Sequence, residues 1–134
     1  CNDYSLKDYF NSFSNIKYLG FLKDKELHLL AQQVDVFINP RRINFLPNEF
    51  NFPSKLLFYM QFDKPIISSV TKGVSPFFLE FLLPIEGDKK KDFINAIDNF
   101  NNLSHTEIEN NLKKQKELKV NLSKKNASNL LLKF

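Results

Sequence analysis

Two adjacent arginines are the residues of this chain best suited to bind a phosphate. Arg41 and Arg42 are the only arginines among 19 cationic residues, and they follow an apolar run that ends at Ile38. A planar guanidinium group holds two phosphate oxygens at once, which a lysine ammonium group cannot do. The pair therefore predicts phosphate binding, although a surface pair that forms salt bridges fits the same residues.

A second feature with the same chemistry is the tetrapeptide Phe52-Pro53-Ser54-Lys55. Proline is favoured at the first position of a helix, and the first N–H groups of a helix have no partner within it. These groups attract anions, and Ser54 adds a hydroxyl group and Lys55 a positive charge. The tetrapeptide predicts diphosphate binding, but similar Pro-Ser-Lys segments also begin helices that bind nothing.

The elements that must position these residues alternate between helix and strand. Apolar spacing and helix caps predict helices at 4–13, 24–33, 54–62, from 88, from 104 to about 120 and from about 123. Short apolar runs predict strands at 16–19, 34–38 and 65–70, and a weaker one at 81–85 because Pro84 lacks an N–H group. The segment 40–52 is predicted to be a loop.

Strands separated by helices in this way pair in parallel through right-handed crossovers. The predicted fold is therefore α/β, a Rossmann-like doubly wound parallel sheet. Ligands of such sheets bind beyond the carboxyl ends of the strands, which points to residues 39–55.

The helical faces give further expectations. Phe93, Ala96, Ile97 and Phe100 share one apolar face, and Ser104 with Glu107 predicts a capping box at the start of the next helix. The last predicted helix groups four apolar residues that would dock on the domain: Ala127, Leu130, Leu131 and Phe134.

Length and composition favour one folded domain that covers residues 1–134. The hydrophobic fraction is 43%, too high for a disordered chain. No apolar run reaches the roughly 20 residues of a transmembrane helix, and no signal peptide is evident, so a cytoplasmic location is expected. With Cys1, His28 and His105 as the only residues of their types, we expect no metal site.

The lysines form clusters at 89–91, 113–119 and 124–125 within a chain of net charge +4. Such clusters attract phosphates, nucleic acid or an anionic membrane face, but they also fit solvated helix faces. An RNA-binding signature and helix-turn-helix spacing are both missing from the sequence, so nucleic acid is not an expected partner.

Several short motifs in a fixed order resemble one known family. They are NIKYLGFL at 15–22, Glu26-Leu27, VDVFINPR at 34–41, FPSKLL at 52–57 and KPIIS at 64–68. In this order and spacing they resemble the C-terminal domain of GT-B glycosyltransferases of the group 1, or family 4, type. The closing helices fit the same fold more loosely.

The resemblance implies a partial GT-B C-terminal domain that binds a nucleotide diphosphate sugar as donor substrate. The enzyme would transfer the sugar to a glycan or lipid-linked acceptor, as in polysaccharide biosynthesis. Its partner would be the N-terminal acceptor-binding domain, and without that domain we expect the chain to be inactive. The resemblance implies no further cofactor and no metal, and it allows peripheral contact with the inner face of the membrane. It also implies that the chain begins inside the family's domain.

The sequence departs from the family at two positions. Many relatives carry two glutamates eight residues apart, the second of which binds the donor ribose, and the aligned residues here are Phe50 and Phe58. Glu49 lies next to the first position and Tyr59 next to the second, so Glu49, Phe58 and Tyr59 are candidate neighbours of the donor. The alternative is a degenerate glycosyltransferase-like module that acts in protein interaction without catalysis. An unrelated doubly wound regulatory domain is a third interpretation.

Overall fold

The computed structural model describes residues 3–124, which form two compact units, one up to residue 33 and the other from residue 34. The first unit contains the helices α1 (Asp3–Asn11) and α2 (Asp24–Gln33), where the sequence predicts them. Tyr18, between the helices, stacks on Phe10 of α1 with 5.8 Å between ring centroids. Aromatic packing therefore joins the connecting segment to α1.

The strand predicted at 16–19 is wrong. This segment is irregular and pairs with no strand among the described residues. Ile16 and Leu19 keep 42% and 40% of their surface exposed. A run of four residues becomes a strand only when a neighbouring strand satisfies its backbone N–H and C=O groups, and an apolar pattern cannot supply that neighbour.

The second unit holds a sheet and the remaining helices. Its elements are β1 (Phe37–Asn39), α3 (Pro47–Phe50), α4 (Lys55–Tyr59), a 3-10 turn (Met60–Phe62), β2 (Ile66–Ser69), α5 (Pro76–Leu79), β3 (Leu83–Ile85), α6 (Lys90–Asn101) and α7 (His105–Lys124).

The sheet has three parallel strands in the order β1-β2-β3. One row of its register joins Ile38 of β1, Ile67 of β2 and Leu83 of β3. All four residues of β2, the central strand, are buried. The parallel α/β architecture, Rossmann-like in character, is thus confirmed, and it brings the carboxyl ends of all three strands to one edge.

Helices cover both faces of this sheet. On one face, Ala96 of α6 packs with Ile67 and Ile85 in a buried cluster. The partly buried members of that cluster are Val36, Ile38, Leu83, Phe93, Ile97 and Phe100, so the predicted apolar face of α6 is confirmed. Neighbouring residues of a strand point to opposite faces, and Phe37 accordingly stacks on Tyr59 of α4, with ring centroids 4.4 Å apart.

All three strands are shorter than the sequence predicts, and β2 lacks the first and last residues of its predicted range, 65–70. The predicted strand 34–38 begins only at Phe37, whose N–H group donates to the carbonyl of Pro65 at 3.0 Å. Pro65 has no N–H group to extend the ladder upstream. The predicted strand 81–85 begins at Leu83, because the N–H group of Leu82 still donates to Phe78 at the end of α5, at 3.1 Å. Pro84 is tolerated because β3 is an edge strand.

Two short helices, α3 and α5, lie where the sequence predicts irregular backbone or gives no element. Each has four residues and begins at a proline, Pro47 or Pro76, whose fixed φ suits a first helical turn. One turn is too short to show a helical period in the sequence. The helix predicted at 54–62 is confirmed as α4, although its last three residues tighten into the 3-10 turn.

The capping box of α7 is confirmed. Glu107 accepts from the backbone N–H group of Ser104 at 2.8 Å, and the Ser104 hydroxyl accepts from the Glu107 N–H group at 3.3 Å. Hydrogen bonds from the hydroxyl and backbone of Ser104 lower the pKa of Glu107. The helix continues to Lys124, past the predicted end near Val120. The apolar face predicted from Ala127 to Phe134 lies outside the described residues.

Candidate functional site

Buried polar groups join the carboxyl ends of the first two strands. Asn39, which ends β1 and is 5% exposed, donates its side-chain amide to the Ser68 hydroxyl at 3.1 Å. Ser69, which ends β2, accepts a hydrogen bond from the backbone N–H group of Arg41 at 2.9 Å. Because these bonds lie inside the protein, they fix the point at which the chain leaves β1.

The guanidinium group of Arg41 is held by neutral partners. It donates to the side-chain oxygen of Asn48 and, at 3.3 Å, to the backbone carbonyl of Asn51. Neither acceptor carries a charge, so these bonds orient the group without neutralising it. A guanidinium group that is oriented by neutral acceptors is well suited to attract an anion.

Asn48 positions both arginines. Its side chain is 8% exposed and, besides accepting from Arg41, donates to the carbonyl of Arg42 at 2.7 Å. The Asn48–Asn51 segment is packed closely against Gly73, where an added Cβ atom would come within 2.5 Å of the Asn51 carbonyl oxygen. The loops after β1 and β2 therefore hold the arginines together.

Arg41, Ser54 and Lys55 line one cleft of about 270 Å³, which we call the Ser54 cleft. Its other lining residues are Asn39, Pro40, Phe52 and Pro53. Ser54 and Lys55 are exposed, whereas Pro53 is buried and anchors the turn. Three of the four residues predicted to bind phosphate are thus brought together.

The turn at Ser54 forms its first backbone hydrogen bonds at Leu56 and Leu57. The N–H group of Leu56 donates to Pro53 at 2.9 Å, and that of Leu57 donates to Ser54 at 3.1 Å. The amides of Ser54 and Lys55 precede these two in the chain. Both residues line the cleft, so a phosphate there would lie beside residues that offer a hydroxyl group and an ammonium group.

Glu49, Phe58 and Tyr59 do not line the Ser54 cleft as the described residues form it. Glu49 forms an ion pair with Lys72 at 2.9 Å. Phe58 packs edge-on against Phe62, and Tyr59 stacks on Phe37 at the amino end of β1. Burial in this aromatic cluster raises the pKa of Tyr59.

Arg42 lines a second cleft, of about 320 Å³, on the same edge of the sheet. We call it the Asp88 cleft, and its lining residues are Pro40, Arg41, Arg42, Ser69, Ile85, Gly87, Asp88, Lys89, Lys90 and Phe93. The Asp88 carboxylate accepts from the backbone N–H groups of Ile43 at 2.6 Å and Asn44 at 3.1 Å. These two bonds, with the charge of Arg42, lower the pKa of Asp88.

A larger groove, of about 650 Å³, runs along α7 but lacks convergent chemistry. Its charged lining consists of Glu109, Lys113, Lys116 and Glu117, which balance one another. Within residues 3–124, every residue that lines this groove belongs to α7. The sheet edge therefore remains the better candidate site.

Residues 3–124 contain neither a cluster of metal ligands nor a membrane-spanning helix. In that part of the chain, no three His, Cys, Asp or Glu side chains are grouped closely enough to hold a metal ion. No helix there has both the length and the apolar character needed to cross a bilayer.

Sequence reasoning missed the residues that hold the arginines. Ser69 was visible as a polar residue near the end of the strand predicted at 65–70, which is a usable signal for a strand terminus near a ligand. Asn48 and Asp88 gave no such signal, because each acts through a contact with a distant or irregular part of the chain.

Comparison with protein-family models, with curated proteins and with solved structures finds no significant match for this chain. The resemblance to GT-B glycosyltransferases therefore depends on the order and spacing of its short motifs.

Proposed function

We propose that this chain is the nucleotide-sugar-binding part of a GT-B glycosyltransferase, and that the donor diphosphate binds in the Ser54 cleft. The observation that carries the proposal is the convergence of Arg41, Ser54 and Lys55 on one cleft at the carboxyl edge of a parallel sheet. This edge is where α/β sheets bind ligands. The assignment of residues 1–134 to a single, doubly wound donor-binding domain is part of the same proposal.

Each residue has a defined role in this proposal. The Arg41 guanidinium group and the Lys55 ammonium group offset the charge of the diphosphate, and the Ser54 hydroxyl and amide donate hydrogen bonds. Sugar transfer places negative charge on the leaving nucleoside diphosphate, and donors already in position stabilise that charge best. The bonds from Arg41 to Asn48 and Asn51 supply that prior positioning.

The proposed enzyme also needs an acceptor site, which a second domain would provide opposite the sheet edge. The acceptor would be a glycan or a lipid-linked sugar on the cytoplasmic side of a membrane. Residues 1–134 alone are expected to bind the donor without transferring its sugar.

The direct test is calorimetric titration of the chain with UDP and with GDP. We expect one of them to bind, and Ser54→Ala and Lys55→Ala each to weaken binding about tenfold, the effect of one charge-assisted hydrogen bond. Both side chains are exposed, so neither change should disturb folding. Lys113→Ala on α7 is the matched control. The proposal is contradicted if the affinity for the nucleotide is unchanged in both variants, or if neither nucleotide binds.

A second candidate is a degenerate module that binds another protein without catalysis. It is favoured by Phe50, which is 78% exposed at a position where many relatives carry a glutamate. An aromatic side chain this exposed is typical of contact surfaces. If neither nucleotide binds, and Phe50→Glu abolishes association with a second domain of the same protein, this candidate replaces the first.

A further inference from the structure

We propose that the Asp88 cleft is a second, separate anion site that binds the phosphate group of a small phosphorylated molecule. The two clefts share only Pro40 and Arg41 among their lining residues. The Asp88 cleft therefore does not depend on whether a nucleotide sugar binds beside Ser54.

The charges around the cleft select an anion. Besides Arg41, which it shares with the Ser54 cleft, three of its lining residues are cationic, namely Arg42, Lys89 and Lys90, against the single carboxylate of Asp88. That carboxylate already accepts two backbone hydrogen bonds from the loop after β1. Its oxygens are thus engaged in holding the loop, and the cleft keeps a net positive charge.

The position of the lysines supports the same conclusion. Lys89, Lys90 and Lys91 occupy the start of α6, where the helix dipole is positive and acidic residues are preferred. The acidic residue of this turn, Asp92, accepts from the backbone N–H group of Lys89 at 3.0 Å. Clustered cations at this end of a helix repel one another and the dipole, and a bound anion would relieve that repulsion.

The shape of the cleft limits the ligand to a small molecule. A volume of about 320 Å³ lies at the lower end of the range for ligand pockets. Ile85 and Phe93 give the cleft an apolar side, and the buried Ser69 also lines it. A phosphate attached to a compact, partly apolar group fits this lining.

The turn that carries the lysines is held in place. A Cβ atom on Gly87 would collide with the Asp92 carboxylate, so the backbone and that side chain are in close contact. Asp88 fixes the next position through its bonds to Ile43 and Asn44. Because the turn is fixed, little conformational freedom would be lost when an anion binds.

The test is titration of the isotope-labelled chain with inorganic pyrophosphate, followed through the amide resonances of residues 86–91. We expect saturable shifts there, and Lys89→Ala/Lys90→Ala should weaken the affinity about tenfold or more. Lys113→Ala/Lys114→Ala removes two exposed lysines from α7 and should leave the affinity unchanged. Equal weakening by both double changes, or no saturable shift at 86–91, overturns the proposal.

A second titration, run in parallel, distinguishes a lipid headgroup from a soluble molecule as the source of the phosphate. Vesicles of phosphatidylcholine with phosphatidylglycerol test a lipid headgroup, and pyrophosphate tests a soluble ligand. Binding to pyrophosphate that depends on Lys89 and Lys90 supports the proposal. If replacing these lysines weakens binding to the vesicles but not binding to pyrophosphate, the assignment to a small molecule is overturned.

The two proposals fail separately. In the titration with pyrophosphate, Lys55→Ala should change the amide shifts of residues 52–58 and leave those of residues 86–91 unchanged. If the amide resonances of residues 52–58 do not shift while those of residues 86–91 do, the glycosyltransferase proposal is overturned. The proposal of a second anion site is then still supported.

Discussion

At the scale of single residues, the arginine pair is recognisable from sequence but its supports are not. Arg41 and Arg42 stand out because every other cationic residue is a lysine. Asn48 is one of many asparagines, and only the folded loop brings its amide to Arg41 and Arg42 at once. Side-chain contacts between irregular segments have no periodic pattern that a sequence could reveal.

Replacing Asn48 should therefore weaken donor binding without removing any cation. Asn48→Ala leaves the Arg42 carbonyl without its donor and frees the Arg41 side chain to rotate. We expect an affinity for the nucleoside diphosphate lower by about tenfold, and an unfolding free energy lower by about 1 kcal/mol. Calorimetry and urea unfolding measure the two effects.

Asn51→Ala is the matched control for this change. Asn51 contributes its backbone carbonyl to Arg41, and its side chain is exposed. The alanine variant keeps that carbonyl, so both quantities should stay close to those of the unchanged chain. If the two variants behave alike, the positioning role of the Asn48 amide is wrong.

Asp88 makes the loop after β1 sensitive to acid. Its pKa lies below the usual value of 3.8 because its ionised form accepts hydrogen bonds from Ile43 and Asn44. A carboxyl group with a lower pKa in the folded chain stabilises the fold above its unfolded pKa. That contribution is lost as the pH falls through the folded value.

The amide shifts of Ile43 and Asn44 should follow this titration. We expect a common midpoint below 3.8 and no such transition in Asp88→Asn. A midpoint at or above that value would show that the carboxylate does not hold the loop.

At the scale of elements, the strongly patterned segments were predictable and the short ones were not. The central strand β2 and the helix α6 were predicted because one is a buried apolar run and the other has a full helical face. The helices α3 and α5 were missed because a single turn that begins at proline has no period. The strand predicted at 16–19 failed because pairing depends on a partner elsewhere in the chain.

The packing of α6 on the sheet can be tested by placing a larger side chain where the helix lies closest to the strands. Ala96 is 4% exposed and lies against Ile67 and Ile85. We expect Ala96→Leu to lower the free energy of unfolding by about 1–3 kcal/mol, because the larger side chain has no room. Asn95→Leu, at the neighbouring exposed position, should change it by less than about 0.5 kcal/mol. Equal effects in urea unfolding would contradict this packing.

At the scale of the whole molecule, charge and topology act together. The parallel sheet brings the carboxyl ends of its strands to one edge, and both arginines and the lysines of the α6 turn lie at that edge. The sequence predicted that edge through its alternation of strands and helices. It could not predict that the edge holds two clefts, because the lining of the Asp88 cleft combines the loops after β1 and β3 with Ser69 at the end of β2.

Anion binding at this edge should weaken with salt. We expect the affinity for a nucleoside diphosphate to fall several-fold when NaCl rises from about 0.05 M to about 0.5 M, because the exposed cations are screened. Calorimetric titrations at a series of salt concentrations measure this dependence. An affinity independent of salt would mean that the charges of Arg41 and Lys55 do not contribute to binding.

The most direct measurement is an NMR titration of the labelled chain with UDP and GDP, read residue by residue. The account predicts saturable shifts at residues 41 and 52–58, with residues 109–121 on α7 unchanged. Shifts confined to α7, or a spectrum unaltered by either nucleotide, would contradict the claim that the Ser54 cleft receives the donor diphosphate.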